Sequence, residues 1–381
     1  MRFGHFCRAE KDCGELMQNL TFLIKPASSL CNMRCSYCFY SDVSDRRKIK
    51  SHGIMKDEVL DILIKRAFDL GEVSVSFVFQ GGEPTLAGLG FFERVVELEK
   101  KYNTKRITVY NSIQTNGILI DDEWADFFRR NSFLVGISLD GTKEIHDKYR
   151  RLKGGEGSFD RVSEAISTLC RHGVDFNILC VVNKDVARCA DKIYTELKKY
   201  KYLQFIPMID DFVNEAADGS LTDEDYGIFL VRLFDNYAKD IKRGEYVSIR
   251  DFDSYLAMLC GMPPSSCAMS GKCGGYFTVE ADGSVYPCDF YVTDEYKMGN
   301  ITDSSLIELM RTDTALGFIK SSLTVSPECR ECRWAALCRG GCRRHREPFP
   351  SLSKYCASYK KFFDECYEKM CEILTYLKGR R

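Results

Sequence analysis

Residues 31–38 read CNMRCSYC, which places three cysteines within eight residues. They follow Leu20–Lys25, a short apolar run that predicts a strand ending before Pro26. In α/β proteins, functional loops come directly after strands, at the carboxyl ends of a parallel sheet. The stretch therefore predicts a site at such a sheet, provided that strands and helices alternate after it.

Strands and helices do alternate over about 190 residues. The six predicted strands are Leu20–Lys25, Val73–Phe79, Ile107–Ile113, Phe133–Leu139, Phe176–Val182 and Tyr202–Pro207. The predicted helices include Lys56–Leu70, Asp122–Arg130, Phe159–His172 and Val186–Tyr200. Repeated βα units predict a parallel sheet. Six units are too few for a closed eight-stranded barrel, which leaves a partial open barrel or a doubly wound sheet.

Composition narrows the class of protein. The chain has 381 residues, a net charge of −1 and 19 cysteines, an odd number that fits poorly with complete disulfide pairing. The near-zero charge argues against a strongly basic nucleic-acid-binding protein. No apolar stretch approaches the roughly 20 residues that span a membrane, and the N-terminus lacks an apolar signal region. We expect a cytoplasmic protein with reduced thiols that binds neither nucleic acid nor membrane.

The spacing of the first three cysteines suits an iron–sulfur cluster. Three thiolates on a short loop bind three irons of a 4Fe–4S cluster and leave the fourth iron open. Zinc is the competing metal, but structural zinc prefers four ligands, and no fourth cysteine or histidine lies nearby in the sequence. Three buried structural cysteines are the remaining alternative, which the tight spacing disfavours.

A second group of cysteines lies towards the C-terminus. Its members are Cys267, Cys273, Cys288, Cys329, Cys332, Cys338, Cys342 and Cys356. Eight thiolates are enough for two fully ligated 4Fe–4S clusters, with a pair of zinc sites as the alternative. A fully ligated cluster accepts or passes electrons but has no open iron for a substrate, which points to a net oxidation. The other eight cysteines, including Cys7 and Cys13, are expected mostly to be packing residues.

The CxxxCxxC spacing of Cys31, Cys35 and Cys38 resembles the signature of the radical S-adenosylmethionine (SAM) superfamily. The resemblance implies an α/β fold, a partial (β/α)6 barrel followed by a small cysteine-rich SPASM domain that binds Fe–S clusters and by a C-terminal helix. It also implies that SAM binds the open iron of the first cluster and yields a radical that removes hydrogen from the substrate. The implied SAM contacts are Tyr37, Gly82, Ser138, Arg150 and Ile209.

The same resemblance divides the chain and the second cysteine group. It implies auxiliary cluster I on Cys267, Cys273, Cys288 and Cys342, and auxiliary cluster II on Cys329, Cys332, Cys338 and Cys356. With the first cluster, this makes three 4Fe–4S clusters. The expected regions are an N-terminal extension (1–19), the barrel with bridging helices (20–250), the SPASM domain (251–357) and the C-terminal helix (358–381).

Four further segments, residues 24–29, 79–88, 114–117 and 282–291, resemble anaerobic sulfatase-maturating enzymes. Such enzymes oxidise a Cys or Ser in a sulfatase CxPxR- or SxPxR-type motif to Cα-formylglycine. The resemblance implies Asp289 as the catalytic base, with Tyr40 and Gln80 as candidates to line the substrate pocket. It implies an unfolded sulfatase polypeptide as substrate and a flavodoxin or ferredoxin as electron donor.

Two other functions remain open from the sequence. A radical SAM–SPASM maturase that forms a thioether or carbon–carbon crosslink in a ribosomal peptide would share every cysteine. Such maturases often carry an N-terminal domain that binds a leader peptide by β-augmentation, and 19 residues before the first strand are too few for one. The second alternative is a non-catalytic zinc-binding interaction protein.

Overall fold

The computed structural model describes residues 18–210 and 219–379, so most of the predicted extension, with Cys7 and Cys13, lies outside the described residues. One sheet runs through this part of the protein. Its strands are β1 (Asn19–Ile24), β2 (Ser74–Phe79), β3 (Thr108–Thr115), β4 (Leu134–Ser138), β5 (Phe176–Val182), β6 (Tyr202–Pro207), β7 (Ser248–Ile249), β8 (Phe277–Val279), β9 (Ser284–Tyr286) and β10 (Gly299–Asn300). Their order across the sheet is β10-β9-β8-β1-β2-β3-β4-β5-β6-β7.

Helices connect these strands and close the chain. They are α1 (Phe39–Asp45), α2 (Asp57–Leu70), α3 (Leu89–Tyr102), α4 (Asp122–Arg130), α5 (Lys143–Tyr149), α6 (Phe159–His172), α7 (Lys184–Arg188), α8 (Ala190–Leu197), α9 (Asp223–Arg243), α10 (Arg250–Leu259), α11 (Leu306–Met310), α12 (Asp313–Ser322), α13 (Pro327–Arg330), α14 (Ala335–Cys338) and α15 (Cys356–Lys378). Short 3-10 helices span Pro84–Ala87, Lys198–Tyr200, Cys267–Met269, Asp289–Tyr291, Asp294–Tyr296 and Arg343–Arg346. Within the described ranges, no helix is long and apolar enough to cross a membrane.

Strands β1 to β6 pair in parallel and in chain order, which confirms the predicted α/β partial barrel. Apolar side chains fill the space between this sheet and its helices. Helix α2 buries Leu60, Leu63, Ile64 and Ala67, the one-face spacing that its sequence predicts. The predicted helix Val186–Tyr200 is instead two helices and a 3-10 turn, with a break at Cys189.

The sheet continues beyond the six barrel strands on the side of β1. Strand β8 pairs in parallel with β1, so that Phe22 lies opposite Phe277 and their rings stack 5.4 Å apart. Strands β8, β9 and β10 then form an antiparallel extension. The sequence assigned these residues to a separate SPASM domain. The pairing places the turn between β8 and β9 at the carboxyl end of β1, while the domain boundaries stay predictions.

The C-terminal helix α15 packs along α9 through aromatic side chains. Phe362 lies 5.7 Å from the ring of Phe234 and 5.5 Å from that of Phe252, measured between centroids. Helix α15 begins at Cys356, two residues before the predicted start. The Asp223 carboxylate accepts hydrogen bonds from the free backbone amides of its first turn, at 2.6 Å from Ser358 N. This contact fixes Cys356 against the barrel.

Candidate active site

The three-cysteine loop lies between β1 and α1, at the carboxyl end of the sheet. Two backbone hydrogen bonds attach it to the end of α5 and the residues that follow: Arg34 N donates to Arg151 O (2.8 Å) and Ser36 N to Tyr149 O (3.0 Å). Burial raises the pKa of the Cys31 thiol to about 11 and that of Cys35 to about 12, and the charge of neighbouring Cys38 contributes to both increases. The three thiols are therefore close together, as their spacing predicts.

A fully buried carboxylate, Asp140, organises one side of this loop. Its Oδ2 accepts hydrogen bonds from Arg150 Nε (2.9 Å) and from the Tyr37 hydroxyl, and its Oδ1 accepts one from Val181 N (2.9 Å). The Arg150 guanidinium lies 5.4 Å from the centre of the Tyr37 ring. The predicted SAM contacts Tyr37 and Arg150 thus share one partner, which no motif in the sequence singles out. The Arg150 charge also opposes the rise in the pKa of buried Cys35.

The two glycines after β2 pack against the chain that leads into the first cysteine. Gly82 N donates to Ser28 O at 2.9 Å. A Cβ at Gly82 would lie 2.1 Å from Leu30 O, far inside van der Waals contact. Gly81 has φ +138°, a conformation that favours glycine. The position of a Cβ at Gly82 is occupied by the backbone of residues 29 and 30, and the contact of Gly82 with SAM stays a prediction.

The carboxylate of Glu83 connects the end of β3 to the same region. Its oxygens accept hydrogen bonds from Thr115 Oγ1 (2.7 Å) and from Asn116 N (2.8 Å). The side-chain Nδ2 of Asn116 donates a hydrogen bond to Asn32 Oδ1 at 2.8 Å, and Asn32 directly follows Cys31. Glu83 and Asn116 belong to the family-like segments 79–88 and 114–117, but their polar contacts across the sheet were not predicted.

The two remaining predicted SAM contacts lie at the carboxyl ends of strands β4 and β6. Ser138 is the last residue of β4, half-buried and two residues before Asp140. Ile209 is half-buried, two residues beyond the end of β6. Both are at the same edge of the sheet as the cysteine loop, and their roles stay predictions.

Asp289 is buried directly after β9 and faces three polar side chains from the barrel. Its Oδ2 accepts hydrogen bonds from Tyr40 OH (2.5 Å) and Gln80 Nε2 (2.7 Å), and Lys25 Nζ lies 3.7 Å from Oδ1. Oδ1 accepts no hydrogen bond within the described part of the chain. Burial raises the pKa of Asp289, and Lys25, Tyr40 and Gln80 oppose that rise. Two hydrogen bonds therefore orient one carboxylate oxygen, while the other oxygen can still accept one.

Four of the C-terminal cysteines, among them Cys288 next to Asp289, lie near one another. Burial raises the pKa of Cys288 and Cys342, and the charges of other thiols raise them further. The contributing neighbours are Cys342 and Cys267 for Cys288, and Cys267 and Cys273 for Cys342. The Tyr276 hydroxyl donates to Cys288 Sγ at 3.5 Å. These are the four residues expected for auxiliary cluster I.

The other four cysteines form a second group. Burial raises the pKa of Cys338 to about 11, with further contributions from Cys356, Cys329 and Cys332. Burial also raises the pKa of Cys356, at the start of α15, and the charges of Cys329 and Cys332 add to that rise. The structure therefore brings together the two sets of four that the resemblance implies.

Comparison with known proteins identifies the family. The model of the radical SAM superfamily matches residues 26–194, and that of the SPASM iron–sulfur cluster-binding domain matches residues 271–333. A cysteine-type anaerobic sulfatase-maturating enzyme of Clostridium novyi (strain NT) is 49% identical over 374 residues, covering 96% of this chain and 100% of that protein. The chain belongs to the anaerobic sulfatase-maturating enzymes. It is a radical SAM enzyme, as predicted.

Other members of the family agree with this assignment. A serine-type anaerobic sulfatase-maturating enzyme of Bacteroides thetaiotaomicron is 35% identical over 369 residues, covering 90% of this chain and 88% of that protein. The solved structure of native anSMEcpe with bound AdoMet and Cp18Cys peptide has a TM-score of 0.90 and 46% identity, covering 94% of this chain and 99% of that one. The predicted fold class and the expected cofactors, SAM and iron–sulfur clusters, are confirmed.

The donor sets of this anaerobic sulfatase-maturating enzyme fit those cofactors. Every cysteine of the described residues is a free thiol. In residues 18–210 and 219–379, no three His, Cys, Asp or Glu side chains are close enough to hold a single metal ion. Zinc needs its ligands about 2.0 to 2.3 Å from one ion, whereas a 4Fe–4S cluster spreads them over several irons. The radical SAM and SPASM family models identify the expected groups as iron–sulfur clusters.

Proposed function

We propose that this enzyme oxidises a cysteine in a sulfatase polypeptide to Cα-formylglycine, with Asp289 as the base. The observation that carries this proposal is the position of Asp289, a buried carboxylate that directly follows Cys288 and is oriented by Tyr40 and Gln80. The names of the relatives support the reaction, and the 49% identical relative, at higher identity than the serine-type enzyme, is cysteine-type.

Cys31, Cys35 and Cys38 would hold the first cluster, and Tyr37, Gly82, Ser138, Arg150 and Ile209 would surround SAM. Arg150 is suited to a carboxylate of the cofactor because it presents a buried guanidinium next to Cys35. When bound, SAM and the clusters supply a hydrogen-atom acceptor and an electron acceptor. The side chains of Asp140 and Glu83 hold the surrounding loops at the carboxyl edge of the sheet.

The oxidation removes two protons and two electrons from the target cysteine. A hydrogen atom leaves the β-carbon, the Asp289 carboxylate takes the thiol proton, and one electron leaves the substrate. The resulting thioaldehyde adds water and releases hydrogen sulfide, which leaves the aldehyde. Because Asp289 directly follows the expected ligand Cys288, the proton and the electron leave the substrate in neighbouring places. Lys25, 3.7 Å from Asp289 Oδ1, balances the charge of the carboxylate before the proton arrives.

Anaerobic incubation with SAM, a reductant and a peptide containing CxPxR tests the proposal. We expect an aldehyde that reacts with a hydrazide, together with the mass loss that replacement of CH2SH by CHO requires. Asp289→Asn should keep about twelve irons per chain and lose most turnover, since the amide is not a base. The matched control is Asp294→Asn, which removes the same charge at an exposed position five residues away. A crosslinked peptide without aldehyde would instead favour the thioether or carbon–carbon maturase.

We further propose that the enzyme works in the cytoplasm and takes its electrons from a flavodoxin or ferredoxin. The free thiols of the described residues support a reducing compartment. Reconstitution of turnover with each purified carrier, in place of a chemical reductant, tests the electron donor.

A further inference from the structure

The 3-10 helix Arg343–Arg346 follows Cys342 and buries three arginines, Arg343, Arg344 and Arg346. Arg343 is 8% exposed and Arg346 is 3% exposed. A buried guanidinium is costly unless opposite charge and hydrogen-bond acceptors surround it. The partners of these two side chains therefore indicate what else must balance them.

The hydrogen bonds of Arg346 go to neutral backbone. Its Nη1 donates to Thr324 O at 2.9 Å and its Nη2 to Ser322 O at 3.1 Å. Its Nε is buried and has no acceptor in the described part of the chain. No carboxylate of the described residues forms an ion pair with Arg346. The guanidinium lies 5.1 Å from the ring centre of Phe349, and within the described residues it has no carboxylate partner and one unused donor.

The surroundings of Arg346 connect it to both cysteine groups. Ser322, whose carbonyl binds Arg346, also accepts a hydrogen bond from Cys273 N through its hydroxyl at 3.0 Å. On the other side, Arg346 Nη1 would lie 3.7 Å from a Cβ at Gly340, between Cys338 and Cys342 in the chain. Arg346 therefore contacts a residue hydrogen-bonded to Cys273 of the first group and lies close to Gly340, two residues from Cys338 of the second group.

Arg343 has different contacts from Arg346. Its Nη1 donates to Phe318 O at 3.2 Å, and its guanidinium lies 4.4 Å from the ring centre of Phe318 and 4.6 Å from that of Phe349. Arg343 directly follows Cys342, a residue of the first group. Arg343 therefore lies beside the first group, whereas Arg346 lies near residues next to both.

We propose that Arg346 is a counter-ion shared by auxiliary clusters I and II, and that its charge raises the reduction potentials of both. A cluster held by four thiolates is negatively charged and becomes more so on reduction, so a nearby buried cation favours the reduced form. Arg346 thereby promotes transfer of the substrate electron away from the active site. This inference rests on the proposed cluster assignment. In this proposal Arg346 acts through its charge on the two clusters and does not contact the substrate.

The test is an EPR-monitored redox titration of the full-length, anaerobically reconstituted enzyme without peptide. Its result does not depend on formylglycine formation, so it can fail while the proposed function stands. Arg346→Gln should lower the equilibrium constant for reduction of both auxiliary clusters about tenfold, or about 59 mV for one electron. Arg346→Lys should keep both potentials near wild type, because it retains the charge. Arg343→Gln should lower one potential only.

Unchanged potentials in Arg346→Gln at full iron content would overturn the proposal. So would an Arg346→Lys variant that loses as much potential as Arg346→Gln, because hydrogen-bond shape rather than charge would then be decisive. If Arg346→Gln binds less iron than about twelve per chain, the lysine variant decides. Restored iron and wild-type potentials in Arg346→Lys support the charge role, and iron loss in both variants overturns it.

Discussion

Substitution of Gly82 by alanine tests how the barrel positions the three-cysteine loop. The new methyl group would lie 2.1 Å from Leu30 O and 2.7 Å from the carbonyl carbons of Ser29 and Leu30. Because all three atoms belong to the backbone, no side-chain rotation relieves the contact. The carbonyl of Leu30 must move by roughly 1 Å to reach even the 3.0 Å that real Cβ atoms rarely go below.

A displacement of this size is large for a cluster ligand. Leu30 directly precedes Cys31, and functional groups need to be held within about 0.5 Å of their working positions. Overpacking of this kind also costs about 1 to 3 kcal/mol of folding free energy. We therefore expect Gly82→Ala to fold, to keep the two auxiliary clusters, and to lose the first cluster together with SAM cleavage.

Iron and sulfide analysis provides the readout, with EPR of the reduced enzyme in the presence of SAM. Iron should fall from about twelve to about eight per chain. The control is Gly90→Ala in α3, where a Cβ would meet nothing within 4 Å, and it should retain wild-type iron content and turnover. Full iron content with normal SAM cleavage in Gly82→Ala would refute the packing role assigned to Gly82.

Two further substitutions probe buried carboxylates. Glu99 is buried with Asn111 Nδ2 3.1 Å from one oxygen, and burial raises its pKa to about 7. The folded state therefore binds its proton more tightly than the unfolded state, and stability falls as pH rises from about 4.5 to 7, by on the order of 3 kcal/mol. Glu99→Gln should be more stable than wild type at pH 8 and nearly equal at pH 5 in thermal unfolding; an equal advantage at both pH values would contradict the ionisation argument. Asp140→Asn leaves Arg150 buried without its carboxylate, which should lower the free energy of unfolding by about 3 to 5 kcal/mol. It should also weaken SAM binding, measured at equilibrium, because Asp140 orients both Tyr37 and Arg150. Unchanged affinity for SAM would show that Asp140 does not organise these two contacts.

Much of the fold was predictable because its signals are local. The helices Asp122–Arg130 and Phe159–His172 and the strand Phe176–Val182 have the predicted bounds. Apolar periodicity and capping residues are recognised within one helix turn or one strand. Asp121 is an example, because its side chain caps α4 by accepting a hydrogen bond from Trp124 N. Helices α1 and α5 were missed, since seven residues carry too little periodicity. The addition of β8 to the edge of the barrel was also missed, because pairing between Phe22 and Phe277 leaves no local trace.

The sequence by itself determined the chemistry. Cysteine spacing is a covalent property of the chain, so the three-thiol loop predicts an iron–sulfur cluster, and the family resemblance extends that prediction to the eight further thiols, for which spacing alone left zinc open. The tertiary structure decided which charges surround them. Asp140 and Glu83 are separated in the chain from groups that they bind, and each is buried, where electrostatic interactions are strongest. Proximity of that kind arises only when the sheet brings the ends of its strands together.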